Sequence, residues 1–239
     1  MPKSIAVFSA GPALGRAVAQ RYAREGSQVV LVARRQQPLE AQAEDLRRAG
    51  ATVHVVPADL SDIAALPELA NGIRAIVGDL DAFYYGAAPN GFIPVTELTL
   101  ERAQTLLPLG FYALLVLVRE FLPAMLARGD GAILSAQGAA AVQGMPDIAG
   151  GFVLAAQRNY LQSLHAAVAH QGVYVGGLYI GAAIERSPFH AEWTAAKAAG
   201  AAVPDLPTVH PDRLADLVWS MHHTRKSPDA TYPEGLLSH

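Results

Sequence analysis

An apolar run, Ser4–Ser9, leads through a Gly/Pro turn into Leu14–Glu25, where alanines and a leucine recur at helical spacing. The theme then repeats. Gln28–Ala33 reads as a Val/Leu strand, Pro38–Ala49 as a polar-faced helix, and Thr52–Pro57 as another β-branched strand. Three strands and two helices in so short a stretch make a right-handed βαβαβ unit the economical arrangement. Ser61 is placed to cap a helix running through Ile76, and Leu80–Tyr85 is a fourth strand ending at Gly86. Leu98–Arg128 supplies a long apolar helix, Gly131–Ser135 a fifth strand, Gly151–His170 another helix and Val173–Tyr179 a sixth strand. The expected fold class is therefore α/β, a doubly wound parallel sheet in a single domain over residues 1–239.

From Gly181 the pattern becomes irregular, with Ser187-Pro188, Gly200, Pro204 and Pro207. A helix from about Pro211 to His222 and a short strand near Ala230–Tyr232 follow. The 182–210 segment is too long for an idle connection in a compact domain, which points to a lid or binding loop, with a disordered loop as the other reading.

Composition narrows the class of function. Hydrophobic residues make up 51% of the 239 residues and charged ones only 16%, against about 25% charged in an average domain. That excludes disorder and implies extensive burial. With 18 basic and 21 acidic residues the formal charge is −3, too even for a nucleic-acid binder that relies on phosphate attraction. The absence of cysteine removes disulfides, thiolate chemistry and Cys-ligated zinc, and is compatible with a reducing cytoplasm. Ile5 to Phe8 is too short for a signal-peptide core. Ala103 to Val118, with Gln104, Thr105, Pro108 and Gly110 inside it, falls short of the ~20 apolar residues of a bilayer span. It is read as a buried helix, and no membrane partner is expected.

The first turn reads Ser9-Ala10-Gly11-Pro12-Ala13-Leu14-Gly15, where strand one hands the chain to a helix. Small residues there let a pyrophosphate approach the backbone, and the N–H groups and dipole at the helix start favour its charge. The other reading is an ordinary tight turn. After strand two, where NAD-preferring proteins usually place an acidic residue, stand Arg34 and Arg35. Two guanidiniums offer forked hydrogen bonds to a 2′-phosphate, favouring NADP(H) over NAD(H); the other reading is solvated arginines at a helix start, where cations oppose the dipole. Asp59-Leu60, after strand three, places a carboxylate near an adenine amino group, or Asp59 caps the next helix.

These residues resemble the short-chain dehydrogenase/reductase family. The likeness extends to Tyr85-Gly86-Ala87-Ala88 in place of the family's Asn-Asn-Ala-Gly, Leu122-Pro123-Ala124-Met125 ending a long helix, the Gly131-Ala132-Ile133-Leu134 strand, and Ile180-Gly181 where Pro-Gly is usual. The resemblance implies a seven-stranded doubly wound domain binding a nicotinamide dinucleotide, with Ser9, Gly11, Ala13, Leu14, Gly15, Arg34, Arg35, Asp59, Leu60, Gly86, Ala87, Gly181 and Ile184 at the cofactor. It also implies homodimers or homotetramers formed through helices 98–128 and 151–170.

The family reduces carbonyls with a Tyr-x-x-x-Lys pair, a Ser and an Asn. Here Gly110 falls at the Asn position, Gly138 at the Ser position, and Gly150 and Leu154, or Gly151 and Ala155, at the pair. The three lysines are Lys3, Lys197 and Lys226, and Trp193 and His222 stand four residues before the last two, so Tyr-x-x-x-Lys occurs nowhere. A solitary tyrosine with pKa near 10 does not recover that chemistry without a nearby cation.

Substitutes are few. Gln137 sits beside the vacated Ser position, where its amide would polarise a carbonyl. Tyr84 and Tyr85 end strand four at the same rim, as acids or as packing residues. Arg158 stands one turn from Leu154, either replacing the lost cation or forming a structural ion pair. Tyr160 and His165 are assigned to packing or an interface, and His190 and Trp193 are the lid residues that either touch a substrate or, as a lone lid histidine more often does, stand by. Three functions stay open: an NADP(H)-dependent oxidoreductase acting on a small carbonyl or alcohol by a non-standard mechanism, a non-redox cyclase, dehydratase or isomerase with a pocket enlarged by glycines, and a binding or sensor protein without turnover.

Overall fold

The computed structural model describes residues 3–89, 92–201 and 203–236. In chain order it comprises β1 (Ser4–Phe8), α1 (Leu14–Arg24), β2 (Gln28–Ala33), α2 (Gln36–Arg48), β3 (Val53–Pro57), α3 (Leu66–Val77) and β4 (Ala82–Tyr85). Next come α4 (Leu100–Leu107), a wide π turn (Pro108–Tyr112), α5 (Ala113–Arg128), β5 (Gly131–Gly138), α6 (Gly151–Val168) and β6 (Val173–Ile180). A short pair, β7 (Ala183–Ile184) and β8 (Thr208–Val209), brackets α7 (Pro188–Ala198), and α8 (Pro211–Thr224) and β9 (Asp229–Tyr232) complete the order.

Seven strands form one parallel sheet in the order β3-β2-β1-β4-β5-β6-β9. β1 is central, and its alternating side chains divide the core. Ile5 and Val7 face α1, α2 and α8, while Ala6 and Phe8 face α3, α5 and α6, all four fully buried. Burial on both faces explains why the strand reads as a continuous apolar run. The chain leaves β1 for β2 and β3 on one side, then crosses to β4 on the other. The order reverses between β1 and β4, and a crevice opens beyond their carboxyl ends.

The 29-residue helical stretch Leu100–Arg128, with an 18-residue window of mean hydropathy 1.7, is by length and composition apolar enough to cross a membrane, beyond the expectation for Ala103–Val118. Here it is a core helix, with Leu114, Leu117, Val118, Phe121 and Met125 buried. It is also interrupted. Proline at 108 has no N–H for the helical ladder, and the chain widens into a π turn closed by Ala113 N–H donating to the Pro108 carbonyl.

One expectation needs correcting. Ser61 does not cap α3, because its N–H and hydroxyl both donate to Asp59 Oδ1, at 2.9 and 2.6 Å, and α3 begins only at Leu66. The 182–210 segment is ordered where described. Ser187 accepts from the His190 N–H at 3.0 Å, Pro188 occupies the first turn, and α7 follows. The Phe189 ring stacks on Phe92 at 5.4 Å, joining α7 to the loop after β4.

Candidate functional site

At the end of β1 the chain must turn sharply to start α1. Ser9 takes a left-handed φ of 66°, the Gly11 N–H donates to the Ser9 carbonyl at 2.7 Å, and Ala10 N–H donates to Val32 at 3.1 Å. A Cβ on Gly15 would lie 2.7 Å from the Ser9 carbonyl oxygen, so only glycine lets the helix begin so close to the strand. Ala13 caps α1 without any side-chain bond, and no acidic residue occupies the first turn. α2 starts the same way, behind Arg35. Both helix starts keep N–H groups available to an anion.

Between them runs a groove of about 910 Å³, bounded by the β1 turn, the α2 face and the ends of β3 and β4. Of the residues expected at a cofactor, Ser9, Gly11, Arg34, Arg35, Asp59, Leu60 and Ala87 line it. Ala13, Leu14 and Gly15 lie behind it at the start of α1. The Gly86 N–H donates to the Phe8 carbonyl at 3.2 Å, the Gly181 N–H to the Tyr232 carbonyl at 2.6 Å, and Ile184 belongs to the β7–β8 pair.

The groove's charges are unequally occupied. Asp45 is paired with Arg16 at 2.8 Å and with Arg48. Hydrogen bonds from Ser61, then the nearby Arg34 guanidinium, hold the Asp59 carboxyl below the usual carboxylate range. Arg34 and Arg35 are exposed and form no ion pair among the described residues.

The carboxyl ends of β4 and β5 differ from expectation. Tyr85 is fully buried, and its hydroxyl donates to the Leu109 carbonyl at 2.5 Å. Burial raises the phenols of both Tyr84 and Tyr85, so neither is a poised acid at the rim. Gln137 is 3% exposed, and its Nε2 is spent on Gln157 Oε1 at 3.1 Å and Ser135 Oγ at 3.3 Å. Gln157 Nε2 donates in turn to the Gly110 carbonyl. A carbonyl can only accept, so Gly110 fixes both amide orientations. What remains on Gln137 is the unpartnered acceptor Oε1, the opposite of the donor needed to polarise a carbonyl.

Arg158 follows the ion-pair alternative. Its guanidinium lies 5.3 Å from the Tyr179 ring centre and 3.9 Å from Asp229 Oδ2. Gly110 does not enlarge a pocket either, since a Cβ there would meet Val153 Cγ2 at 2.8 Å. Gly138 does face open space. Leu154 packs with Ala140, Ala141 and Tyr179, while Gly151 and Ala155 border an apolar cavity of about 520 Å³. In the lid, Trp193 donates its indole N–H to the Pro204 carbonyl at 3.0 Å, under Lys197, and His190 packs against the same ring. Tyr160 meets Phe111 edge-on, and His165 Nδ1 bonds the Val175 carbonyl.

Gln157, Gln42 and the Arg16–Asp45 pair were not singled out from sequence. Residue type gave no signal for Gln157, whose role rests on its contact with a residue 47 positions away. Helical spacing does place Gln42 and Asp45 on the same face of α2 as Pro38.

Residues 3–198 match the family model for short chain dehydrogenases. A fatty acyl-CoA reductase of Mycobacterium tuberculosis is 33% identical over 136 residues, covering 56% of this chain and 46% of that protein. The chain spans from about half to 66% of the length of the curated relatives it matches first. An actinorhodin polyketide ketoreductase with NADPH superposes with TM-score 0.87 at 20% identity, over 99% of this chain and 98% of that one. A short chain oxidoreductase of Pseudomonas aeruginosa PAO1 with an atypical catalytic center and bound NADPH gives 0.82 at 22%, over 97% and 96%. The chain belongs to the short chain dehydrogenase family.

Proposed function

We propose that the chain binds NADP(H) in the groove between α1 and α2 and acts as an oxidoreductase on a small carbonyl or alcohol. One observation carries this reading: two exposed guanidiniums without ion pairs among the described residues, Arg34 and Arg35, stand beside an uncapped helix start in a groove whose carboxylates are already engaged. The residues fit the cofactor. The cradle that a Cβ on Gly15 would fill and the amides at the start of α1 suit a pyrophosphate, and Arg34 with Arg35 suits a 2′-phosphate. Neighbours solved with NADPH support the same choice.

Bound NADP(H) supplies or accepts the hydride. The chain's own residues hold the phosphates, present Asp59 as an ionised acceptor toward the adenine end, and close the site with the 182–210 lid. Tyr85 and Gln137 have their donors committed, so water gives the proton when a carbonyl is reduced and takes it when an alcohol is oxidised. We extend the reading to a single cytoplasmic domain that pairs into homodimers or homotetramers through α4–α6, without nucleic-acid or membrane partners. The exposed Leu100, Tyr112 and Phe152 are apolar surface for that pairing.

The committed donors also favour a second reading, an NADP(H)-binding protein without turnover. Following NADPH absorbance against a panel of aldehydes and ketones separates the two. Substrate-dependent oxidation supports the oxidoreductase, and tight binding without oxidation across the panel supports the binder.

A further inference from the structure

Gln42 is 6% exposed, yet it lines the groove between α1 and α2, and its Nε2 is buried without a hydrogen-bond partner among the described residues. Buried donors in native proteins are nearly always paired, and an unpaired one is costly. Nε2 itself is closed off from the groove, and rotation of the Gln42 side chain brings it to the acceptor of a bound ligand. The two carboxylates of the groove do not serve, because Asp45 is held by Arg16 and Arg48 and Asp59 by Ser61. Gln42 lies seven residues beyond Arg35, about 10 Å along the α2 axis, and helical side chains lean toward the N-terminus. Its side chain therefore leans along the groove wall toward the end of α2 where Arg34 and Arg35 stand, and their longer side chains cover the remaining distance.

We infer that Gln42 determines cofactor specificity by donating Nε2–H to the 2′-phosphate of NADP(H), beneath the two guanidiniums. The inference rests on the NADP(H) reading above. A hydrogen bond to a phosphate oxygen is about twice as strong as one between neutral groups, so this donor distinguishes a 2′-phosphate from a 2′-hydroxyl.

The test is calorimetric titration of the wild type, Gln42→Leu and Gln42→Glu with 2′,5′-ADP and with 5′-ADP. The wild type is expected to prefer 2′,5′-ADP. Gln42→Leu loses about tenfold in affinity for 2′,5′-ADP and less than twofold for 5′-ADP, and Gln42→Glu loses more for 2′,5′-ADP. Because the leucine removes no protein hydrogen bond, the thermal midpoint without nucleotide stays the same or rises. Equal losses for both nucleotides, no loss for either, or a leucine variant that unfolds earlier overturns the inference while the cofactor reading stands. A wild type that binds the two nucleotides equally overturns the NADP(H) preference itself and the role of Gln42 with it.

Discussion

The side-chain amide of Gln137 donates to Gln157 Oε1 across 3.1 Å, and through that bond the end of β5 is tied to the π turn that precedes α5. The wide turn explains the arrangement. Its carbonyls at Leu109 and Gly110 accept from side chains, Tyr85 and Gln157 respectively. A buried chain of this kind contains no ionisable group, so it orders the site without conducting a proton.

Gln157→Leu breaks the chain at its middle and takes the side-chain donor away from the Gly110 carbonyl. Urea unfolding should show a loss of about 2 kcal/mol. Adding Gln137→Leu should cost less than the sum of the single changes, since both members of the pair are then apolar. Strict additivity would mean that the two amides do not act together.

Tyr85→Phe removes only the bond to the Leu109 carbonyl. A stability loss of about 1 kcal/mol is expected, with NADPH affinity within twofold of wild type. Any substrate-dependent NADPH oxidation should also persist at a similar rate. A fall of two orders of magnitude in that rate, with affinity intact, would make Tyr85 the proton donor after all.

Ser9→Gly should stabilise the chain. A non-glycine residue at φ 66° carries a steric penalty of about 1 kcal/mol, which glycine relieves. An unfolding midpoint that fails to rise would show that the serine side chain compensates locally.

Much of the sheet was readable because each central strand is buried on both faces and each helix presents one apolar face, which are local patterns. Arg34 and Arg35 were readable as well, because a position just after β2 lies on the crevice in any such fold. The α7 helix was missed although Ser187-Pro188 is a cap followed by a first-turn proline, a start signal outweighed by the prolines and glycine downstream. Gln137 was located correctly at the end of β5 but assigned the wrong polarity. Which end of an amide is free depends on Gln157 and Gly110, and no local pattern announces that pairing. The same holds for Arg158, whose partners Tyr179 and Asp229 come from β6 and β9.

Between α8 and α1, on one face of the sheet, His222 is buried beside Tyr22, whose hydroxyl lies 2.9 Å from Nδ1. Burial, then the Arg225 guanidinium, pushes the imidazole down from 6.5 to about 4. The unfolded chain therefore binds the extra proton first as pH falls. Stability contributed by neutral His222 is present above pH 6.5 and lost as pH drops toward 4, by up to about 3 kcal/mol. Urea unfolding across that range should show the decline, and His222→Gln should flatten it. An unchanged slope in the variant would place the titration elsewhere.

Fluorescence titration with NADPH and NADH, on the wild type and on Arg34→Ala/Arg35→Ala, tests the central claim most directly. The wild type is expected to bind NADPH at least tenfold more tightly than NADH, and the double variant to lose most of that difference while binding NADH nearly unchanged. Equal affinity for the two coenzymes in the wild type, or binding of neither, would contradict it.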